Sequence, residues 1–385
     1  MNVFLLGNGF DLHHYLPTKY INFLNTVDIL VNEYECKKFK NIGEVFGSSR
    51  IIQKDDWIKQ CYEKHECVYN SIKLDESSIQ EIIKLAHNNE WYKYMLARFQ
   101  KNANWIDFEK EIGFVCQLFK DYFDKCKKTV IAVPRNMETT LGFFLTIFEK
   151  KIETLQIYEI NSFKYTIKDS MTIIDSNSKP SLNKSLIIEK LYESLRDLAK
   201  MLALYMKVFV DDTINDLLNN DLIMRNEVFS GIDCVFTLNY TNTYSKVYGL
   251  DSAKVLHIHG DIDSDIVLGV QTDEDDEKPE INTDFICFKK YFQCSVFKTE
   301  FLLNTKIFEL KRLEDEINLS VMGHSLDITD KDIIKKLFEI ADKIVIYYHG
   351  DKVAHGDCVK KLVHIFGQQK YNEIATNTKL NYLHI

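Results

Sequence analysis

Four short strings in this chain carry polar groups whose types and spacing suit a ligand built from phosphates and sugars. The first is GNGFDL, Gly7–Leu12. Glycines after an opening strand let backbone N–H groups approach a pyrophosphate, and Asn8 tolerates a left-handed turn. Leu12 stands where the dinucleotide fingerprint would place its third glycine, so the string is not that fingerprint, and a plain tight turn also explains it. The second is FTLNYTNTY, Phe236–Tyr244, with Asn239 at a strand tip as a ligand-orienting amide or a simple turn residue, and Thr241 or Asn242 as a helix N-cap. In the third, HIHGD at His257–Asp261, strand alternation sends His257 and His259 to one face. With Asp261 they suit a metal; alternatively His259, just before Gly260, is a general base, while His257 reads as a hydrogen-bonded structural residue. The fourth is MGHSLDITDKDI, Met322–Ile333. Here Gly323 turns the chain and Ser325 offers a hydroxyl and an N–H to a ribose or phosphate. Thr329 and Asp332 resemble a capping box, and Asp327 and Asp330 complement the dipole of the helix that follows.

These strings need a scaffold that brings strand ends together. Asn2–Leu6 is a short apolar run closed by Gly7-Asn8-Gly9, the pattern of a buried strand entering a turn, and Tyr20, Phe23, Leu24 and Val27 follow at helical spacing with Pro17 ahead of them. After Gly231 the strand signals return at Cys234–Leu238, Val255–Ile258, Ile266–Val270, Asn318–Met322 and Lys343–Tyr348, with helical stretches at Tyr291–Leu313 and Lys331–Ala341. Strands alternating with helices imply a parallel sheet with crossover connections, and ligands of such sheets bind beyond the carboxyl ends of the strands. The expected fold is therefore α/β. A doubly wound, mostly parallel sheet forms from both chain ends (1–30 and 231–385), interrupted by a mostly helical insertion at 31–230. Within the insertion, Phe108, Ile112, Val115 and Leu118–Phe119 form one apolar stripe, and Ile187–Ile188, Leu191, Leu195, Leu198, Leu202 and Tyr205 another; Thr129–Val133 reads as a strand.

Bulk properties remove several alternatives. The chain has 385 residues, 48 basic and 57 acidic, a formal net charge of −9 that repels nucleic-acid polymers at long range. Nine cysteines, Cys36, Cys61, Cys67, Cys116, Cys126, Cys234, Cys287, Cys294 and Cys358, include no C-x-x-C pair, which argues against a zinc ribbon and for reduced thiols. MNVFLLGNGFDL lacks a basic start and turns polar after Leu6, so it reads as a strand, not an export signal. No run of about 18 apolar residues suggests a membrane span. A cytoplasmic protein without membrane or metal is expected. The acidic run Asp273–Glu277 reads as a solvated loop.

Together GNGFDL, NWIDFE at Asn104–Glu109, FTLNYT, HIHGD and GHSLDITD resemble the abortive-infection AbiH family of bacterial antiphage proteins, over nearly the whole chain. That family in turn resembles the sirtuin-like NAD-binding domains. The resemblance implies an effector that binds NAD and hydrolyses its nicotinamide–ribosyl bond after an unidentified phage trigger, as a homo-oligomer. It places catalysis on Asn239 and His259 and cofactor contacts on Gly7, Asn8, Gly9, Phe10, Asp11, Thr237, Tyr240, Gly260, Gly323, His324 and Ser325. Trp105 and Asp107 of the insertion are further candidates, with core packing the alternative for Trp105. GNGFD departs from the G-A-G-x-S of sirtuins, and the absent zinc module argues against protein deacylation. Two other readings stand beside it: a non-catalytic module for a nucleotide signal, and a metal-dependent nuclease using His257, His259 and Asp261.

Overall fold

The computed structural model describes residues 1–102, 107–125, 144, 155–160, 163–168, 172–174, 180–271, 283–313, 316–376 and 380–385. The chain divides into two compact units. One comprises Met1–Lys84, Lys200–Val267 and Cys294–Ile385; the other comprises Leu85–Ala199 and Leu268–Gln293. Residues 31–84 and 200–230 therefore belong with the sheet.

The strands in chain order are β1 (Asn2–Leu6), β2 (Leu155–Ile160), β3 (Phe163–Lys168), β4 (Thr172–Ile174), β5 (Pro180–Leu182), β6 (Cys234–Thr237), β7 (Val255–His257), β8 (Asn318–Met322), β9 (Lys343–Tyr348) and β10 (Leu380–His384). In the second unit, β2 and β3 pair antiparallel, as do β4 and β5. That unit also holds the helices Glu90–Asn102 and Phe108–Lys125, the latter bearing the expected stripe with Phe108, Ile112, Val115 and Phe119 buried. Within it Trp91 donates from Nε1 to the Leu191 carbonyl at 2.9 Å, and Arg98 pairs with Glu111 at 3.1 Å.

The first unit is built on six strands in the order β10-β9-β8-β1-β6-β7, every neighbouring pair parallel. Alternation along β1 divides its side chains between two apolar clusters. Val3 and Leu5 pack with Leu303, Ile307 and Leu310 of the helix Thr299–Arg312 and with Ile334, Leu337 and Phe338 of Lys331–Ile340. Phe4 and Leu6 pack with Phe10, Phe229 and Tyr244. Both faces of the sheet are thus buried, as a parallel sheet requires, and each fully buried large side chain contributes ~1.5–3 kcal/mol.

One register row crosses five strands: Tyr347, Met322, Leu6, Thr237 and His257 are matched in turn. Because the strands are parallel and in register, the residues just past that row emerge at the same edge. These are Gly323, Gly7, Leu238–Asn239 and Ile258–His259.

Two expected elements differ, and one strand was not expected. Ile266–Val270 is not a strand. Ile266, Val267 and Leu268 are buried, but Val267 N–H donates to the His259 carbonyl and Val270 N–H to that of Phe288, leaving only an isolated bridge between Val270 and Lys289. The helix expected at Tyr291–Leu313 is two helices, Lys290–Val296 and Thr299–Arg312, broken where Lys298 takes φ +63°. The edge strand β10 carried no recognised signal. Thr129–Val133 and Asp273–Glu277 lie outside the described residues.

Candidate functional site

The glycine string forms the turn from β1 into the short helix Asn8–His13. Gly7 N–H donates to the Met322 carbonyl at 3.0 Å and Gly9 N–H to that of Gly323 at 2.8 Å. A Cβ on Gly9 would lie 2.6 Å from Gly323 Cα, and one on Gly323, whose φ is +68°, would strike the backbone of Gly9 and Phe10. The glycines at positions 7, 9 and 323 therefore let two strand-end loops touch, and two of the N–H groups expected to face a pyrophosphate are used in that contact. Phe10 also departs from the expected role: it is 1 % exposed and sits among Phe229, Tyr244 and Tyr248 in the apolar cluster. Asn8 is exposed and accepts from the Thr18 hydroxyl at 2.6 Å.

At the tip of β6, Asn239 is buried. Its N–H donates to Thr237 Oγ1 at 3.0 Å and its side-chain amide to the Gly7 carbonyl at 3.1 Å, tying this tip to β1. The Asn239 carbonyl meets His257 Nδ1 at 2.9 Å. A carbonyl only accepts, so the His257 proton is on Nδ1. Asp11 is 1 % exposed. Its Oδ2 accepts from the Thr241 hydroxyl at 2.7 Å, which itself receives the Thr243 hydroxyl at 2.9 Å. Oδ1 is buried and has no hydrogen-bond partner. Burial pushes the carboxyl up from 3.8 to about 7; the Thr241 and Thr243 hydroxyls oppose the rise, the nearby Asp211 charge adds to it, and Asn239 opposes it. Asp211 is held by Lys246 at 2.5 Å and by Asn242 N–H at 2.7 Å.

His259, 6 % exposed, lies just beyond β7. Gly260 follows it at φ +76°, where a Cβ would collide with the Asp265 carbonyl. His259 Nε2 is 3.5 Å from Asp330 Oδ1, and His324 Nε2 is 3.3 Å from Asp330 Oδ2. Sequence reading treated Asp330 as a partner of the helix dipole. It does occupy the N-cap position of Lys331–Ile340, yet its side chain makes no capping hydrogen bond. Asp327 caps instead, accepting from Thr329 N–H, so the expected Thr329–Asp332 capping box gives way to this one-turn cap. Asp330 is thus a site residue that sequence reading missed. The histidines, 71 and 6 positions away, distinguish it from a cap.

The other candidates fall as follows. Thr237 and Tyr240 are buried, and the Tyr240 hydroxyl donates to the Val267 carbonyl at 3.3 Å, a packing role. Ser325 is exposed, with its carbonyl accepting from Lys361 at 2.8 Å. Asp261 accepts from Asp263 N–H at 2.9 Å, closing a turn. Since His257 and His259 also face different partners, the metal trio does not assemble, and among the described residues no group of three or more His, Cys, Asp or Glu could hold a metal. Asp107 belongs to the second unit, where it accepts from Lys110 N–H and pairs with Lys110 at 3.2 Å. Trp105 lies outside the described residues.

The family model for bacteriophage abortive infection AbiH matches residues 3–349. The chain belongs to the AbiH family. Neither a curated protein nor a solved structure matches it. The AbiH match runs from within β1 to just past β9, so all four polar strand ends lie inside it, whereas β10 lies beyond. Among the described residues of this AbiH chain, no helix is long and apolar enough to cross a membrane.

Proposed function

We propose that this AbiH protein is an abortive-infection effector that binds NAD across the carboxyl ends of β1, β6, β7 and β8 and hydrolyses its nicotinamide–ribosyl bond. The observation that carries the reading is that Asn239, Asp11 and His259 follow β6, β1 and β7 at one edge of a parallel sheet, with Asn239 bonded to the Gly7 carbonyl and Asp11 to Thr241 beyond β6. Numbered within the sheet alone, the strands run 3-2-1-4-5-6, the order of doubly wound dinucleotide-binding folds, whose ligands lie where the winding reverses. That order and the buried polar edge support the sirtuin-like arrangement.

The chemistry suits these groups. The C1′–N bond breaks through an oxocarbenium-like state, and its electron pair leaves with nicotinamide, which departs neutral without a general acid. Water then adds at C1′ and gives up its proton to His259, directly or through a ribose hydroxyl, yielding nicotinamide and ADP-ribose. Asn239 orients the ribose and the water, and Asp11 Oδ1 accepts from a ribose hydroxyl. A general base of this kind contributes ~10²–10⁴-fold. The test is incubation of purified protein with NAD and chromatography of the products, comparing wild type with His259→Ala and Asn239→Ala. Release of nicotinamide that both substitutions abolish, with NAD binding kept, is the expected result. Binding without nicotinamide release in the wild type would instead make the protein a nucleotide sensor.

A further inference from the structure

We propose that the outer face of the helix Thr299–Arg312 docks on a second copy of this chain, the two helices lying antiparallel across a two-fold axis beside Thr305.

A helix laid on a sheet needs apolar residues only along its inward stripe. Here Leu303, Ile307 and Leu310 fill that stripe and are buried in one cluster with Val3, Leu5, Leu319 and Val321 of the sheet. The opposite face would then be polar in a helix that meets only water. It carries instead Phe301, Leu302 and Phe308, at 68, 55 and 62 % exposure. At ~100° per residue, Phe301, Thr305, Phe308 and Arg312 fall within a stripe ~60° wide. Single exposed apolar residues are ordinary, but two phenylalanines in line with a leucine beside them mark a surface that is covered in use. Arg312 lies along the same stripe, its guanidinium 5.7 Å from the centre of the Phe308 ring.

The order of charges along the helix selects the occupant. Glu300 stands in the first turn, and Lys311 and Arg312 in the last. A parallel copy would set like charges side by side, whereas an antiparallel copy sets unlike charges together and opposes the helix dipoles. Glu300 and Lys311 also share one flank of the apolar stripe, about three turns apart. With the axis beside Thr305, Phe301 of each copy lies against Phe308 of the other, and Glu300 of each comes within reach of Lys311 of the other. Every contact occurs twice, as an isologous interface requires. Glu300 remains accessible for this role, since its pair with Lys336 is loose at 3.4 Å and Lys336 also donates to Asn304 Oδ1 at 3.0 Å. The like charges of Lys298 and Arg312 approach only at the outer ends of the pair, where water and salt screen them. One helix pair covers less than the ~800 Å² per partner of a standard interface, so the dimer is reversible. Its Kd is on the order of 10 µM.

Sedimentation velocity of the full-length protein from ~1 to ~100 µM tests the assignment. The mean mass of the wild type should rise from one chain towards two across that range. Phe301→Ser combined with Phe308→Ser should raise Kd at least ~10²-fold and leave a monomer throughout. Lys311→Glu sets a carboxylate opposite Glu300 on both sides of the axis and should raise Kd ~10-fold. Glu300→Lys combined with Lys311→Glu exchanges both pairs and should bring Kd back to within ~3-fold of the wild type. Phe301, Phe308 and Lys311 are exposed, so circular dichroism should show folding unchanged. If the phenylalanine variant does not fold, the charge exchange decides. A wild type that stays monomeric at ~100 µM overturns the proposal. So does an assembly whose mass the phenylalanine substitutions leave unchanged, or a charge exchange that recovers nothing of what Lys311→Glu loses. Mass is read without NAD, so these outcomes leave the proposed hydrolysis untouched, and a protein that spares NAD leaves the dimer standing.

Discussion

Replacing Asp11 by Asn should stabilise this protein progressively as pH rises. The Asp11 side chain is 1 % exposed, and burial lifts its carboxyl from 3.8 to about 7. The unfolded chain ionises the group near 3.8, while the native chain keeps its proton to about 7. Between those values the native state binds more protons, so wild-type stability falls as pH rises. Below 3.8 both states are protonated and there is no cost; above about 7 the full cost is present. A span of about three pH units at ~1.36 kcal/mol each makes that cost on the order of 4 kcal/mol. Asn is close in shape to the protonated acid and offers Thr241 the same acceptor, so the two proteins should agree within ~1 kcal/mol in acid. The assay is urea unfolding followed by tryptophan fluorescence, on both proteins, from pH 4 to pH 8.5. The stability difference should climb in favour of Asp11→Asn and level off above pH 7, while hydrolysis of NAD declines because an acceptor for the ribose hydroxyl is lost. A difference curve that stays flat with pH would show that the native Asp11 carboxyl ionises as it does in the unfolded chain.

Other substitutions probe the same edge. Gly323→Ala adds a Cβ against the backbone of Gly9 and Phe10 at a positive φ and should lower unfolding free energy by ~2–5 kcal/mol in urea titration, combining backbone strain with overpacking. Gly356→Ala is its control: nothing lies within 4 Å of the added Cβ inside the helix Lys352–Phe366, and a gain of ~0.5–1 kcal/mol is expected. Thr241→Val removes the hydroxyl that favours the ionised Asp11, so stability at pH 8 should drop by ~1.5–3 kcal/mol and much less at pH 5. His14 is depressed from 6.5 to about 4, first by burial, against its bond to the Phe10 carbonyl. Its stabilising neutral form is fully present above 6.5 and lost as pH falls towards 4, about 3 kcal/mol in all, and His14→Gln should flatten that acid limb.

The sequence made the sheet legible because each strand is a short apolar run between polar or glycine breaks. β1, β8 and β9 fall where the pattern puts them, and β6 and β7 within one residue. Ile266–Val270 has the same composition and failed for a reason no local pattern contains. Its N–H groups at Val267 and Val270 find carbonyls of His259 and Phe288 before a strand neighbour. β10 failed in the opposite way: LNYLH is mostly exposed and lies at the sheet edge, where burial does not enforce alternation. The strand-end strings announced the site, but the partners within it came from distant parts of the chain. That Gly9 meets Gly323, that Thr241 serves Asp11 and that Asp330 stands between two histidines are facts of tertiary approach. A capping pattern such as D-I-T-D looks the same whether its second carboxylate faces solvent or an imidazole.

The chemistry of this edge and its stability pull against each other. A fold could be made more stable by placing apolar groups of similar volume at buried ionisable positions, since burying a charge commonly costs more than its contacts return. Here the reverse arrangement stands at the ends of the central strands, with Asp11 held short of a partner on one oxygen and Asp330 shared by two rings. The apolar clusters on the two sheet faces offset that cost, each drawing alternate residues of β1. Stability in this unit should therefore rise on loss of the buried acid at Asp11 and fall on loss of the site's glycines. Gly9 and Gly323 hold the loops in contact, whereas Asp11 and Asp330 only load them. Asp11→Asn and Gly323→Ala consequently move stability in opposite directions at pH 8, although both residues lie at the same strand ends. If the two substitutions destabilised alike at that pH, the polar groups would be part of what holds the edge together, and scaffold and chemistry would not be separable.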